Sequence, residues 1–135
     1  MSLLIDTSVW SLALRRDSPP DVPEVRALRA ALEAGETVVC TGFILQELLQ
    51  GFAGPKARTE ILRRFSALPF VTPDRTDHVD AAELRNQCRR KGVQLTTIDA
   101  LVAQLCIRHD LTLLSTDTDF RHAARVCPLR VWGRT

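Results

Sequence analysis

Short apolar runs alternate with helix-length amphipathic segments along almost the whole chain. That alternation constrains the fold more than any other feature. A brief apolar run bounded by turn residues reads as a strand buried on both faces. Strands separated by helical patterns read as βαβ units around a parallel sheet. The runs at residues 2–5, 37–40, 70–72, 112–115 and 129–132 predict five strands. Helices are predicted from Thr7 or Ser8, as N-cap, to about Arg15, and over 24–33, 41–52, 56–68, 77–91, 97–109 and 118–125. The three prolines within residues 17–23 make that stretch a loop, and Gly35, Gly51, Gly54, Pro55 and Gly92 punctuate the helices. The expected fold class is α/β, a central, mostly parallel sheet flanked by helices. Its 135 residues suit a single domain over 1–135.

Several chemistries are disfavoured by what the chain contains. Cys40, Cys88, Cys106 and Cys127 form no C-x-x-C pair, so zinc spacing is missing and the thiols read as buried and free, in a reducing compartment. His78, His109 and His122 show no metal-ligand spacing and read as surface or capping residues. The apolar start is interrupted by Asp6 and followed by Arg15-Arg16, the reverse of a signal peptide. No apolar run is long enough for a membrane span, and a cytoplasmic location is expected. Net charge is only +2, but 16 of the 18 basic residues are Arg, the side chain best suited to phosphate. With five Phe, two Trp and no Tyr, the chain does not advertise base stacking, and Trp10 reads as packed between helices.

The carboxylates are placed more tellingly. Ligands of open α/β sheets bind outside the carboxyl ends of the strands. Asp6 closes the first strand there, and Asp117 and Asp119 follow the fourth. Asp99 falls in the first turn of a helix that Thr97 can cap. Any one of the last three alone reads equally well as a helix-capping acid. Glu47 lies at the margin of its helix's apolar arc, about 60° from Ile44 on the helical wheel, and is expected to be half-buried. Converging acids repel, by roughly 3 kcal/mol per pair about 5 Å apart at an effective dielectric near 20. Oxygen-only ligands of this kind select Mg²⁺ or Mn²⁺, and such a site suits phosphodiester hydrolysis.

Four segments carry a family resemblance. They are Leu3-Leu4-Ile5-Asp6-Thr7-Ser8-Val9-Trp10, Ile44-Leu45-Gln46-Glu47-Leu48-Leu49, Leu95-Thr96-Thr97-Ile98-Asp99-Ala100-Leu101-Val102-Ala103 and Leu113-Leu114-Ser115-Thr116-Asp117-Thr118-Asp119-Phe120. In this order and spacing the chain resembles the PIN-domain ribonucleases, specifically the VapC-type toxins of bacterial toxin–antitoxin modules. The resemblance implies a PIN fold and an Mg²⁺- or Mn²⁺-dependent endoribonuclease that cuts transfer or ribosomal RNA and so inhibits translation and growth. By motif position, Asp6, Glu47, Asp99 and Asp117 match the catalytic and metal-binding quartet. Asp119 matches an auxiliary metal ligand, and Thr7, Ser8 and Thr116 match supporting hydroxyl positions. A cognate VapB-like antitoxin, the RNA substrate and a homodimer or toxin–antitoxin hetero-oligomer are the implied partners. The helices between Glu24 and Leu68 would form the walls of the antitoxin groove. The basic run Arg85, Arg89, Arg90 and Lys91 suits either RNA or the dipole of its own helix. A PIN-type nuclease of RNA processing or structured DNA is the alternative. A phospho-acceptor module is disfavoured, since no Lys follows the fourth strand.

Overall fold

A computed structural model describes residues 1–15 and 20–133. Five strands run in the order β1 (Leu3–Ile5), β2 (Val38–Thr41), β3 (Phe70–Val71), β4 (Thr112–Leu114) and β5 (Arg130–Val131). Seven helices complete the chain: α1 (Thr7–Ala13), α2 (Pro23–Glu33), α3 (Gly42–Gly51), α4 (Pro55–Ser66), α5 (Arg75–Arg90), α6 (Thr97–Arg108) and α7 (Thr118–Ala123). The strands form one sheet in the order β3-β2-β1-β4-β5, every pair parallel. The expected α/β class is therefore observed. The first three strands build outward from β1 to one edge. The chain then returns through α5 and α6 to lay β4 on the other side of β1. The strand order reverses beside β1, and such a switch point leaves a crevice at the carboxyl ends of the two strands.

The three central strands are almost wholly interior, Thr112 of β4 alone being half-buried. Leu4, Ile5, Leu113 and Leu114 are fully buried, as are Ile44 and Leu48 of α3 and Leu105 of α6. Trp10 packs between α1 and α4 as expected, its ring tilted on Phe65 at a centroid distance of 4.8 Å. Among the described residues all four cysteines are free, three of them buried and Cys127 partly so. His78, His109 and His122 are exposed, and no helix is long and apolar enough to cross a membrane.

Several boundaries depart from the sequence expectation, each for a local reason. The first strand omits Ser2, while the second begins at Val38 and continues through Thr41, which is buried and joins the sheet instead of opening α3. Pro23 is the first residue of α2 and Pro55 of α4, where a missing N–H costs nothing. Helix α5 starts two residues early because Asp74 and Asp77 form a reciprocal capping box. Thr96, not Thr97, caps α6, its hydroxyl accepting from Asp99 N–H at 3.0 Å. Neither Thr7 nor Ser8 caps α1: Asp6 is the N-cap residue, without a side-chain cap bond. Helix α7 is shorter than expected, and β5 is a two-residue strand. Of the loop expected over 17–23, residues 17–19 lie outside the described residues, as does Arg16.

Candidate active site

The switch-point crevice collects the acids from four separate stretches of chain. Asp6 leaves β1, its N–H still bonded to Leu114 O of β4 at 2.9 Å. Asp117 caps α7 just beyond β4 and accepts from Asp119 N–H at 2.9 Å. Asp99 sits in the first turn of α6, and the N-terminus of that helix meets the same end of the sheet because it leads into β4. Glu47 comes from α3 and is exposed, not half-buried as its wheel position suggested. It opens to solvent, yet Thr7 of α1 reaches it, Oγ1 donating to Oε1 at 2.8 Å.

A hydroxyl network ties the two central strand ends together. Ser8 Oγ and Ser115 Oγ both donate to Asp6 Oδ2, at 2.9 and 2.8 Å. Ser8 Oγ also accepts from Thr116 N–H at 3.2 Å, and Ser115 Oγ accepts from Asp117 N–H at 3.0 Å. Each serine therefore spends its proton on the Asp6 carboxylate and a lone pair on the loop that carries Asp117. Thr7 and Ser8 take part as the motif implied. Thr116 takes part only through its backbone, and its side chain is exposed. Ser115, absent from the sequence-based assignment, is 3% exposed and links both acids. Its signal was available: a hydroxyl residue directly after the buried Leu113-Leu114 pair points inward and needs polar partners.

Electrostatics bind the four acids into one unit. Burial raises the Asp99 carboxyl above the usual carboxylate range, Thr96 opposes the shift, and the charges of Asp6, Asp117 and Glu47 add to it. The ion pairs of Arg26, Arg63, Arg64, Arg108 and Arg130 are all made with acids outside this group. As they stand, no three His, Cys, Asp or Glu side chains among the described residues close to ligating distance of one point. The donor chemistry still fits Mg²⁺ or Mn²⁺: it is all oxygen and rich in carboxylate. Mg²⁺ also keeps several waters and takes only one or two carboxylates directly.

A PIN-domain family model matches residues 3–126. The VapC ribonuclease Mb1587 of Mycobacterium bovis and ribonuclease VapC11 of Mycobacterium tuberculosis are each 33% identical over 132 residues, covering 95% of this chain and 96% of the relative. The chain belongs to the PIN-domain family. Solved structures share the fold. FitAcB from Neisseria gonorrhoeae superposes with a TM-score of 0.74 at 23% identity, covering 97% of this chain and 96% of that one. VapBC2 from Rickettsia felis, bound to a promoter DNA fragment, also gives 0.74, at 21% identity and 97% coverage of both chains. The expected fold and family are both observed.

Proposed function

We propose that this PIN domain is an endoribonuclease that acts as the toxin of a toxin–antitoxin pair. The observation that carries the reading is the gathering of Asp6, Glu47, Asp99 and Asp117 at one strand-end crevice, where the charges of the other three act on Asp99. The two Mycobacterium relatives named as ribonucleases support the chemistry.

In this reading the quartet would hold Mg²⁺ or Mn²⁺, with Asp119 as an auxiliary ligand. When bound, such an ion supplies Lewis acidity for attack of water on the phosphodiester and offsets charge on the phosphate. The chain's own contribution is placement. Ser8 and Ser115 fix the Asp6 carboxylate from both sides. Thr7 restrains the otherwise mobile-length side chain of Glu47. Thr96 anchors the turn that presents Asp99. Each restraint is made before substrate arrives, so little reorganisation is needed during the reaction.

The partners follow from the same reading. A large surface cavity of about 970 Å³ lies between the end of α1 and α4, lined by Leu14, Phe52 and Ile61, by Arg15 and Lys56, and by Arg64 with its ion-pair partner Glu60. This supports an antitoxin segment seated with apolar anchors and acidic flanks, over part of the helical stretch expected to line the groove. Solved neighbours from Neisseria gonorrhoeae and Rickettsia felis are described as FitAcB and VapBC2 assemblies. Such a toxin would act in the cytoplasm on cellular RNA, alone or as a homodimer.

The deciding experiment maps new RNA 5′ ends after brief expression of the chain and repeats the cleavage in vitro with Mg²⁺ or Mn²⁺. Asp6→Asn and Asp99→Asn are expected to lose cleavage by at least about a hundredfold, a loss of catalytic function of the order seen for key electrostatic groups. Their circular dichroism should be unchanged. Full activity in either variant would remove that residue from the mechanism.

A further inference from the structure

Beside the acidic crevice lies a second, smaller cavity of about 270 Å³. Phe43 of α3, Arg85 and Asn86 of α5, and Thr97 and Ile98 of α6 line it. Two of these walls also carry an acid of the site. Phe43 precedes Glu47 by one helical turn on the same face, and Thr97-Ile98 lead directly into Asp99. Whatever enters the cavity is therefore held next to a group placed at the carboxylates.

We propose that this cavity receives one unpaired base of the RNA, stacked on Phe43 and read along its acceptor edge by Arg85 and Asn86. The proposal rests on the ribonuclease reading and adds a recognition site to it.

Three observations carry it. The first is size: the volume falls just below the roughly 300–1,000 Å³ of pockets for drug-sized ligands, which suits a single planar ring. The second is the ring: Phe43 is half-buried but stands outside the hydrophobic core cluster, so its face is not consumed by packing. Unstacked RNA bases are held on such aromatic faces and on guanidinium planes. The third is hydrogen-bond polarity. Arg85 Nε donates to Leu95 O at 2.8 Å, which fixes the guanidinium against the wall. Asn86 Oδ1 accepts from Arg89 Nη2 at 3.3 Å. The guanidinium is left with its terminal nitrogens, donors only, and the amide with Nδ2, while His78 and Thr97 in the same lining can donate or accept. Donors select a base that offers acceptors, and the O6/N7 pair of guanine is the pair that Arg reads most often. An aliphatic side chain from a second copy or a peptide would leave these donors unpaired, which disfavours it.

The test measures binding of fluorescein-labelled oligouridylates by anisotropy in Mg²⁺, using the Asp117→Asn background to keep the RNA intact. One oligomer carries guanosine at regular positions and a second carries adenosine there. A third is a ribose-phosphate chain without bases. The guanosine oligomer is expected to bind about tenfold more tightly than the abasic chain, the scale of one stacked base. Phe43→Ala should remove that difference. Ala82→Phe should remove it as well, filling the cavity from an exposed position where folding is not at stake. Arg85→Gln should erase the preference for guanosine over adenosine. If the unaltered chain neither binds nor cuts RNA, the ribonuclease reading falls and the pocket with it. If it cuts RNA while the abasic chain binds equally well, or while Ala82→Phe binds like its parent, the pocket alone is overturned. Sedimentation of the same variants completes the test, since a changed oligomeric state would assign this face to a second copy of the chain and overturn the proposal.

Discussion

At Asp99, burial and three facing carboxylates act in one direction, both favouring the neutral acid. Between the ordinary and the raised value, the folded chain therefore holds a proton at Asp99 more often than the unfolded chain does. Stability then falls as pH rises from the ordinary value of 3.8 through the raised folded value. Asp99→Asn removes this cost. In chelator at neutral pH its melting temperature should exceed the parent's by a few degrees, and the gap should close toward pH 3. A variant that melts no higher at neutral pH would contradict the repulsion. The two hydroxyl residues after β4 make a second contrast at this scale. Ser115→Ala strips a donor from Asp6 and an acceptor from Asp117 N–H, and should cost about 1–3 kcal/mol of unfolding free energy along with most of the cleavage. Thr116→Ala should stay within about 0.5 kcal/mol of the parent in the same denaturant titration. The acids themselves were legible because they lie at strand ends and helix starts. The serine carried a weaker signal, a hydroxyl closing an apolar strand, and which acids it serves emerges only once the neighbouring strand is known.

Among the elements, α5 and α6 share the most extensive helix–helix contact, and a charge locks one end of it. Asp77 is 1% exposed in the first turn of α5, where it completes the capping box. Arg108, in the last turn of α6, pairs with both Asp77 and Asp74. Removing one partner of a buried charge is costlier than the pair is worth. Arg108→Ala should therefore destabilise by about 1–3 kcal/mol, the partial exposure of the guanidinium holding the loss below that of a fully buried pair. Arg63→Ala, which loses only an exposed pair with Glu60, should cost at most about 0.5 kcal/mol by the same thermal melts. Equal losses would mean that Asp77 finds other compensation. Periodicity located all seven helices and all five strands, but it misjudged several ends. The early start of α5 depends on a reciprocal bond between Asp74 and Asp77, and the length of β2 depends on Thr41 finding a partner in β3. A local capping bond decided the first and tertiary pairing the second.

For the whole molecule, the strand order explains why residues scattered from 6 to 117 come to one end of the sheet. Periodicity reveals strands but not their order, so the convergence of the acids rested on motif likeness until the reversal beside β1 was seen. The thiols take no part in it. Burial pushes Cys40 to about 12, and burial with the Asp6 charge behind it pushes Cys106 up as well. Protonated thiols are poor nucleophiles. Cys40→Ala and Cys127→Ser should leave the rate of RNA cleavage unchanged, and a folded variant that had lost it would reveal thiol chemistry. The sheet also tapers, ending at each side in a two-residue strand, β3 and β5. A rim so short offers too few free amides to template another chain's backbone. Recruitment by strand extension is thereby blocked, as is ribbon-like self-association through the sheet. A macromolecule that grips this domain must do so through side chains of its helices and loops, so that affinity is written in sequence rather than in backbone geometry.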